Sequence, residues 1–336
     1  MKQGGFGKII GIVASAVLVA GAFFAGRKTA DAPGGYPYTR DAWLLDTFCT
    51  ITVYDGGGEE AVQHVAELLS AYDRLFNAGN EESDLYKINQ AGETGEKRIR
   101  LDPETAEMLS MAKEISEFSE GALWPAIRPV SELWDFKTER KIPEKEALRE
   151  ALCVSKESCW RIEGNDFIGG SSVRIEPGAF AKGYIADRIR ESLLESGVKS
   201  AIIDLGGNIH TVGRNPDGKP FRIGIKDPKG KESYKEIVEV SGLSVVTAGS
   251  YERYFDLDGV RYHHILDPET GFPVQNGLES VTVTGPSSFL CDALATACFV
   301  KGTEGGRELI DRYNREYGTD YRGYFLSGSG EMTRTF

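Results

Sequence analysis

The run Cys291-Asp292-Ala293-Leu294-Ala295-Thr296-Ala297 limits what this chain can fold into more than any other segment. It follows a strand-like stretch, Leu278 to Thr284, and a Gly285-Pro286-Ser287 turn that predicts a helix over Ser287 to Lys301. Asp292 and Thr296 stand four residues apart, so on a helix they share one face. A carboxylate beside a hydroxyl makes a hard-oxygen half-site for Mg2+, which keeps waters and takes phosphate oxygens as further ligands. The alanines between them let a bulky ligand approach the helix closely. Taken alone, the run equally describes a helix with one capping Asp and an incidental Thr.

With 336 residues, 40% of them hydrophobic and 27% charged, the chain has enough apolar content for one large core or two smaller ones. A formal net charge of −12 argues against nucleic acid, or an anionic membrane surface, as a partner of the body. Four histidines without clustered Cys/His spacing argue against a zinc site. The cysteines, Cys49, Cys153, Cys159, Cys291 and Cys298, are odd in number. Cys291 and Cys298 lie two helical turns apart, about 10 Å at 1.5 Å per residue, too far to bridge. No disulfide framework is expected.

Residues 1–28 read as a signal peptide or membrane anchor: Ile9 to Ala25 is apolar and uncharged, with Lys2 and Lys8 before it and Arg27 and Lys28 after it. Export to the cell envelope follows, with release or anchoring left open and an N-terminal contact with the membrane. A Pro/Gly-rich linker over 29–39 leads into one folded body, 40–336. There Trp43 to Tyr54 alternates as a strand. Glu59 to Phe76 and the stretch after Asp102-Pro103 carry helical apolar stripes. Gly178 to Ser196 predicts a third helix, followed by the strand Ala201 to Asp204; Asn208 to Pro286 is mostly strand and turn. Strands and helices mix without regular alternation, and hairpin spacings are frequent. The expected class is α+β, with largely antiparallel sheets flanked by helices.

Three further segments can carry chemistry. In Glu176-Pro-Gly-Ala-Phe-Ala-Lys-Gly-Tyr184, small residues open a helix and Lys182 can offer charge to a phosphate, although a plain helix start with a surface lysine explains it too. Asp204-Leu-Gly-Gly-Asn208 ends a strand in paired glycines, for which a tight turn suffices. In Tyr262-His-His-Ile-Leu-Asp-Pro268, adjacent histidines on a strand point to opposite faces, so at most one reaches a given site. By themselves they read as one satisfied structural histidine and one exposed.

Together these segments, with Thr247-Ala-Gly-Ser-Tyr-Glu-Arg-Tyr-Phe255 and Asp292-Ala-Leu-Ala-Thr296, resemble the ApbE family of FAD:protein FMN transferases. The resemblance runs from about Trp43 to the last helix. It implies that family's T-fold-like architecture and Mg2+ held by Asp292, Thr296 and the Ala179 carbonyl. It places Glu176, Lys182, Ile265 and the Ala122-Leu123-Trp124 segment at FAD, with His264 assisting the reaction. Implied too is an exported acceptor flavoprotein with a target threonine, of the Rnf/Nqr-subunit or FMN-binding-domain kind. There are departures. Gly121-Ala-Leu-Trp124 stands where Gly-Ala-Phe-Asp is usual, Glu176 where Asp is commoner, and Gly79 where an FAD-stacking Tyr is often found. The implied activity is transfer of FMN to the acceptor with release of AMP. The alternatives are Mg2+-dependent hydrolysis of FAD to FMN and AMP, and flavin binding without catalysis.

Overall fold

The computed structural model describes residues 24–28, 37–44, 47–56, 58–90, 96–136, 138, 140–157, 159–230 and 233–336. The first part of the body holds β1 (Phe24–Lys28), β2 (Tyr38–Leu44), β3 (Thr47–Val53), α1 (Gly58–Phe76), α2 (Asp84–Asn89), β4 (Glu96–Arg100) and α3 (Pro103–Phe118). A short 3-10 turn, Pro125–Ile127, precedes α4 (Arg128–Ser131) and α5 (Lys145–Lys156), followed by β5 (Trp160–Glu163), β6 (Asp166–Gly170) and α6 (Ala181–Glu195). Then come β7 (Ser200–Leu205), β8 (Asn208–Gly213), β9 (Phe221–Lys226), β10 (Tyr234–Val240), β11 (Ser244–Gly249), β12 (Tyr254–Leu257) and β13 (Val260–His263). The chain closes with β14 (Leu278–Gly285), α7 (Ser288–Tyr317), β15 (Arg322–Ser327) and β16 (Met332–Arg334).

Nine strands form one sheet in the order β1-β2-β3-β7-β8-β11-β14-β15-β16, and every pairing in it is antiparallel. The expected α+β class with antiparallel sheets holds. Alternation along β3 turns Cys49, Ile51 and Val53 inward. They join one core with the α1 stripe of Val62, Val65, Leu69, Tyr72 and Phe76 and with the inner faces of α3, α6 and α7. On the sheet's other face the β9–β10 hairpin lays Phe221, Ile223, Ile225, Val238 and Val240 against Ile202, Ile209, Val245 and Tyr324. A third cluster, around Val130, Trp134, Leu148, Phe255 and Leu266, ties α4 and α5 to the β12–β13 hairpin.

Four expectations shift in detail. Trp43 to Tyr54 is not one strand: its alternation spans the ends of a hairpin, β2 pairing with β3 from Tyr38↔Val53 to Leu44↔Thr47. The third helix starts at Ala181, not Gly178, because the Phe180 and Ala181 amides both donate to the Pro177 carbonyl and close a turn first. The last helix does not stop at Lys301: Gly302 (φ 76°, ψ −177°) bends it and helix resumes to Tyr317. All five cysteines are free, as expected. Of the N-terminal segment, Phe24–Lys28 pairs as an edge strand with β2, while 1–23 and most of the linker, 29–36, lie outside the described residues. Among the described residues no helix is long and apolar enough to cross a membrane.

Candidate active site

The site is built where α6 and α7 begin. The first amides of a helix lack partners within it and favour negative charge nearby. Here each helix supplies the carboxylate for the other. Asp187 on α6 accepts from the backbone of Ser288 (2.7 Å) and Phe289 (3.0 Å) and from the Ser287 hydroxyl (2.8 Å), at the start of α7. Asp292 on α7 accepts from the Gly183 amide at 3.0 Å, at the start of α6. The helices must nearly touch for this, and a Cβ at Gly183 would lie 2.5 Å from the Ser288 carbonyl oxygen. That approach is what the glycine serves. Asn208, just past the Gly206-Gly207 turn (φ 68° and 91°), accepts from the Ser288 hydroxyl at 2.6 Å and ties β8 to the same junction.

The Gly183–Asp292 bond has a consequence at Ala179. A continuous helix would send the Gly183 N–H to the Ala179 carbonyl; here it goes to Asp292, and among the described residues nothing donates to that carbonyl. Asp292 accepts no other well-formed hydrogen bond among the described residues, although the Asn208 amide acts on its carboxylate. Thr296, half-buried, stands one turn along α7. These three groups offer oxygen alone and one negative charge, which fits a hard cation sharing phosphate ligands. No cluster of three or more His, Cys, Asp or Glu that could hold a metal occurs among the described residues. Burial raises the Asp292 carboxyl above its ordinary range. The Lys182 charge and the Gly183 amide pull it back, as does the Asn208 amide, whose nitrogen is buried without a well-formed hydrogen bond.

Lys182 is the neighbour shared by both halves of the site. Its ammonium donates to the Gly178 carbonyl at 3.1 Å, and its charge acts on Asp292, on the Cys49 thiol and on His264. His264 follows β13, with its amide on the Arg253 carbonyl at 3.1 Å. Burial, then the charges of Arg253, His263 and Lys182, push its pKa down to about 3, so the ring is neutral near pH 7. Its Nδ1 is buried without a well-formed hydrogen bond among the described residues, although the Arg253 main chain beside the ring pulls its pKa back up. His264 is therefore half-buried rather than exposed. His263 is the structural one: Nε2 donates to the Val274 carbonyl (2.9 Å) and Nδ1 accepts from the Ile265 amide (3.3 Å).

The residues expected at the flavin form a neighbouring group. The Glu176 amide donates to the Pro125 carbonyl at 2.8 Å, which sets it beside the Ala122-Leu123-Trp124 segment. Its carboxylate meets Arg128 (3.4 Å) and the Gly178 amide (3.3 Å). Ala122 and Leu123 are buried; Trp124 is half-buried and its indole N–H donates to Ser155 at 2.9 Å. Ile265 is buried, with its amide on His263 and its carbonyl on the Val274 amide, so it contributes packing rather than a free polar group. Gly79 sits exposed in its loop, its amide on the Asn77 side chain.

Sequence reasoning missed Asp187, Asn208, Asn89 and Lys97. Asp187 lies five residues beyond Lys182 on the same helix, and Asn208 closes a motif read only as a turn. Asn89 exchanges two hydrogen bonds with the main chain of Ile175 (3.0 and 2.7 Å), and Lys97 donates to the Val173 carbonyl at 2.9 Å. Together they hold the segment that delivers Glu176, a role with no local signal.

The pattern of the ApbE family matches residues 45–318. This chain belongs to the ApbE family. A Treponema pallidum relative named FAD:protein FMN transferase is 33% identical over 298 residues, which cover 82% of each chain. The ApbE protein of Thermotoga maritima superposes with a TM-score of 0.79 at 29% identity, covering 89% of this chain and 97% of that one. The apo flavinyl transferase ApbE of Pseudomonas stutzeri gives 0.74 at 26%, covering 94% of both. In this ApbE-family chain the α6–α7 junction, Lys182 and His264 all fall inside the matched span.

Proposed function

We propose that this chain is a flavin transferase that moves FMN from FAD to a threonine hydroxyl of a protein acceptor and releases AMP. The name FAD:protein FMN transferase carried by its relatives supports the reaction class. The observation that carries the assignment of residues is the Gly183–Asp292 bond (3.0 Å), which seats the carboxylate of α7 on the residue next to Lys182. In this reading Lys182 draws the pyrophosphate between the carboxylate and the neutral imidazole. Asp292, Thr296 and the Ala179 carbonyl are the oxygen ligands of Mg2+, and Glu176, Ile265 and Ala122-Leu123-Trp124 line the nucleotide. When bound, Mg2+ supplies charge neutralisation at the phosphates. The acceptor oxygen bonds to the FMN-side phosphorus as that phosphorus loses its bond to the bridging oxygen, which departs with AMP. The hydroxyl proton passes to water as the bond forms, and the ring of His264, neutral near pH 7, is left to hold the acceptor hydroxyl or a phosphate oxygen by a hydrogen bond.

The apolar stretch Ile9 to Ala25 supports action in the cell envelope, held by or released from the membrane, on an exported acceptor of the Rnf/Nqr-subunit or FMN-binding-domain kind. Mass spectrometry of such a domain after incubation with the chain, FAD and Mg2+ tests the reading. A gain of one FMN, lost on replacing the acceptor threonine, is expected. Free FMN and AMP with an unmodified acceptor would mean hydrolysis, and intact FAD would mean binding alone. Asp292→Ala should lower turnover on the order of a hundredfold or more and abolish Mg2+ binding heat in calorimetry. Full activity in that variant would remove Asp292 from the metal site.

A further inference from the structure

An arginine with no role so far stands directly opposite His264. Strands β12 and β13 pair with Tyr254 opposite His263. One step beyond, the His264 amide donates to the Arg253 carbonyl at 3.1 Å, so Arg253 and His264 continue the ladder. Side chains opposite each other in an antiparallel pair share a face, with Cβ atoms about 5 Å apart. The next pair on that face, Phe255 and Tyr262, stacks with ring centroids 5.3 Å apart and leans on Phe136 and Trp134, so the face is turned to the body. Burial is the main cause of the low His264 pKa. Among the charges acting on the ring, that of Arg253 comes first, ahead of Lys182.

The fold makes no other use of this guanidinium. The Arg253 side chain is exposed, and among the described residues it makes no hydrogen bond or ion pair. Arg261 on the facing strand shows the ordinary alternative, pairing with Asp256 at 3.2 Å and Glu279 at 3.7 Å. In a chain of net charge −12, an unpaired guanidinium beside the candidate site is a place for an anion. His264 does not supply that charge itself, because its ring is neutral near pH 7. A guanidinium also presents its donors as a planar fork that matches two oxygens of a phosphate. Lys182, a point charge, has no such geometry.

We propose that Arg253 is a substrate-binding residue whose guanidinium forks onto phosphate oxygens of the FAD pyrophosphate beside His264. The inference rests on the transfer reading above for its ligand and adds a residue to it. Lys182 and Arg253 are then two fixed cations acting on one neutral imidazole, and the negative charge of the dinucleotide is met by both. As the FMN-side phosphorus loses its bond to the bridging oxygen, charge grows on the departing AMP. A guanidinium on the pyrophosphate counts for most at that point.

Titration of the full chain with FAD, ADP and riboflavin, without Mg2+, tests the assignment. ADP carries the pyrophosphate without the flavin, and riboflavin the flavin without phosphate. Arg253→Ala should weaken FAD and ADP by about tenfold or more and leave riboflavin unchanged. Arg253→Lys should fall between, because it keeps the charge and loses the fork. Melting temperature should hold in both, since the carbonyl that receives the His264 amide belongs to the main chain. FAD and ADP bound as tightly by Arg253→Ala as by the parent would overturn the proposal. So would riboflavin weakened as much as FAD, which would mean a deformed pocket, or a raised KM for the acceptor with FAD affinity intact. The titrations need no turnover. A parent chain that binds FAD but never adds FMN to an acceptor would therefore reject the transfer reading and not the role of Arg253.

Discussion

Asp187 and Asp292 each cap the helix that carries the other. The arrangement makes the starts of α6 and α7 a single unit, so the lysine on one helix and the metal candidates on the other keep a fixed relation. It also orients Asp292, one of whose oxygens takes the Gly183 amide.

Asp187→Ala should therefore cost more than an ordinary surface change. Three donors at the start of α7 lose their acceptor, and loss of a cap alone costs about 1–2 kcal/mol. Chemical denaturation should show at least that loss, with Asp187→Asn in between because it keeps one acceptor oxygen. Mg2+ binding should weaken in parallel. A variant as stable as the parent would mean that solvent caps α7 as well as Asp187 does.

Gly183→Ala tests the close approach. Helix propensity alone would favour alanine by about 1 kcal/mol. Against that, the new Cβ would stand 2.5 Å from the Ser288 oxygen and 2.6 Å from the Phe289 Cα, both main-chain atoms that cannot swing aside. Overpacking of this kind costs about 1–3 kcal/mol, so net destabilisation is expected together with weakened Mg2+ binding. Thermal unfolding and calorimetry check both, and a stabilised variant would show that the helices have room to separate.

What the sequence disclosed and what it hid divide along a physical line. That Asp292 and Thr296 share one helix is legible because helical periodicity is local, and so is the α1 stripe from Val62 to Phe76. The partnership of Asp187 with Ser288 spans 101 positions, and no local pattern encodes it. Gly302 reads as a helix stop, yet the helix resumes because Leu309, Ile310 and Tyr313 still find core to bury against. Adjacent histidines read as one structural and one exposed without saying which; His263 is the structural one, and His264, just past the end of β13, is half-buried.

Acid should destabilise the fold through its buried histidines. Burial pushes His263 down to about 4 and His210 to about 3, against about 6.5 in the unfolded chain. Between those values the unfolded state binds more protons, so stability is fully present above pH 6.5 and is lost as pH falls toward 4. The buried carboxyls of Asp187, Asp204 and Asp292 have raised values and act in the opposite sense above pH 3.8. Comparing His263→Gln with the parent cancels their contribution. The variant should lose less stability than the parent between pH 7 and pH 5 in thermal unfolding; equal losses would show that His263 does not carry the effect.

Asn89 offers a way to move the nucleotide side of the site without touching it. Its amide gives and takes one hydrogen bond with the main chain of Ile175, the residue before Glu176, and both partners are buried. Asn89→Ala strands that N–H and C=O, at a cost of about 1–3 kcal/mol. Lys97 still holds the Val173 carbonyl, so the segment should loosen locally while the fold persists. Glu176 and the Ala179 turn then sample more positions, and part of the FAD binding energy goes to ordering them. The expected kinetics are a raised KM for FAD with kcat little changed, because Lys182, Asp292 and His264 are anchored by other contacts. A lower melting temperature with KM unaltered would mean that Glu176 is held by Arg128 and Pro125 alone, and that the Asn89 bonds serve the core and not the site.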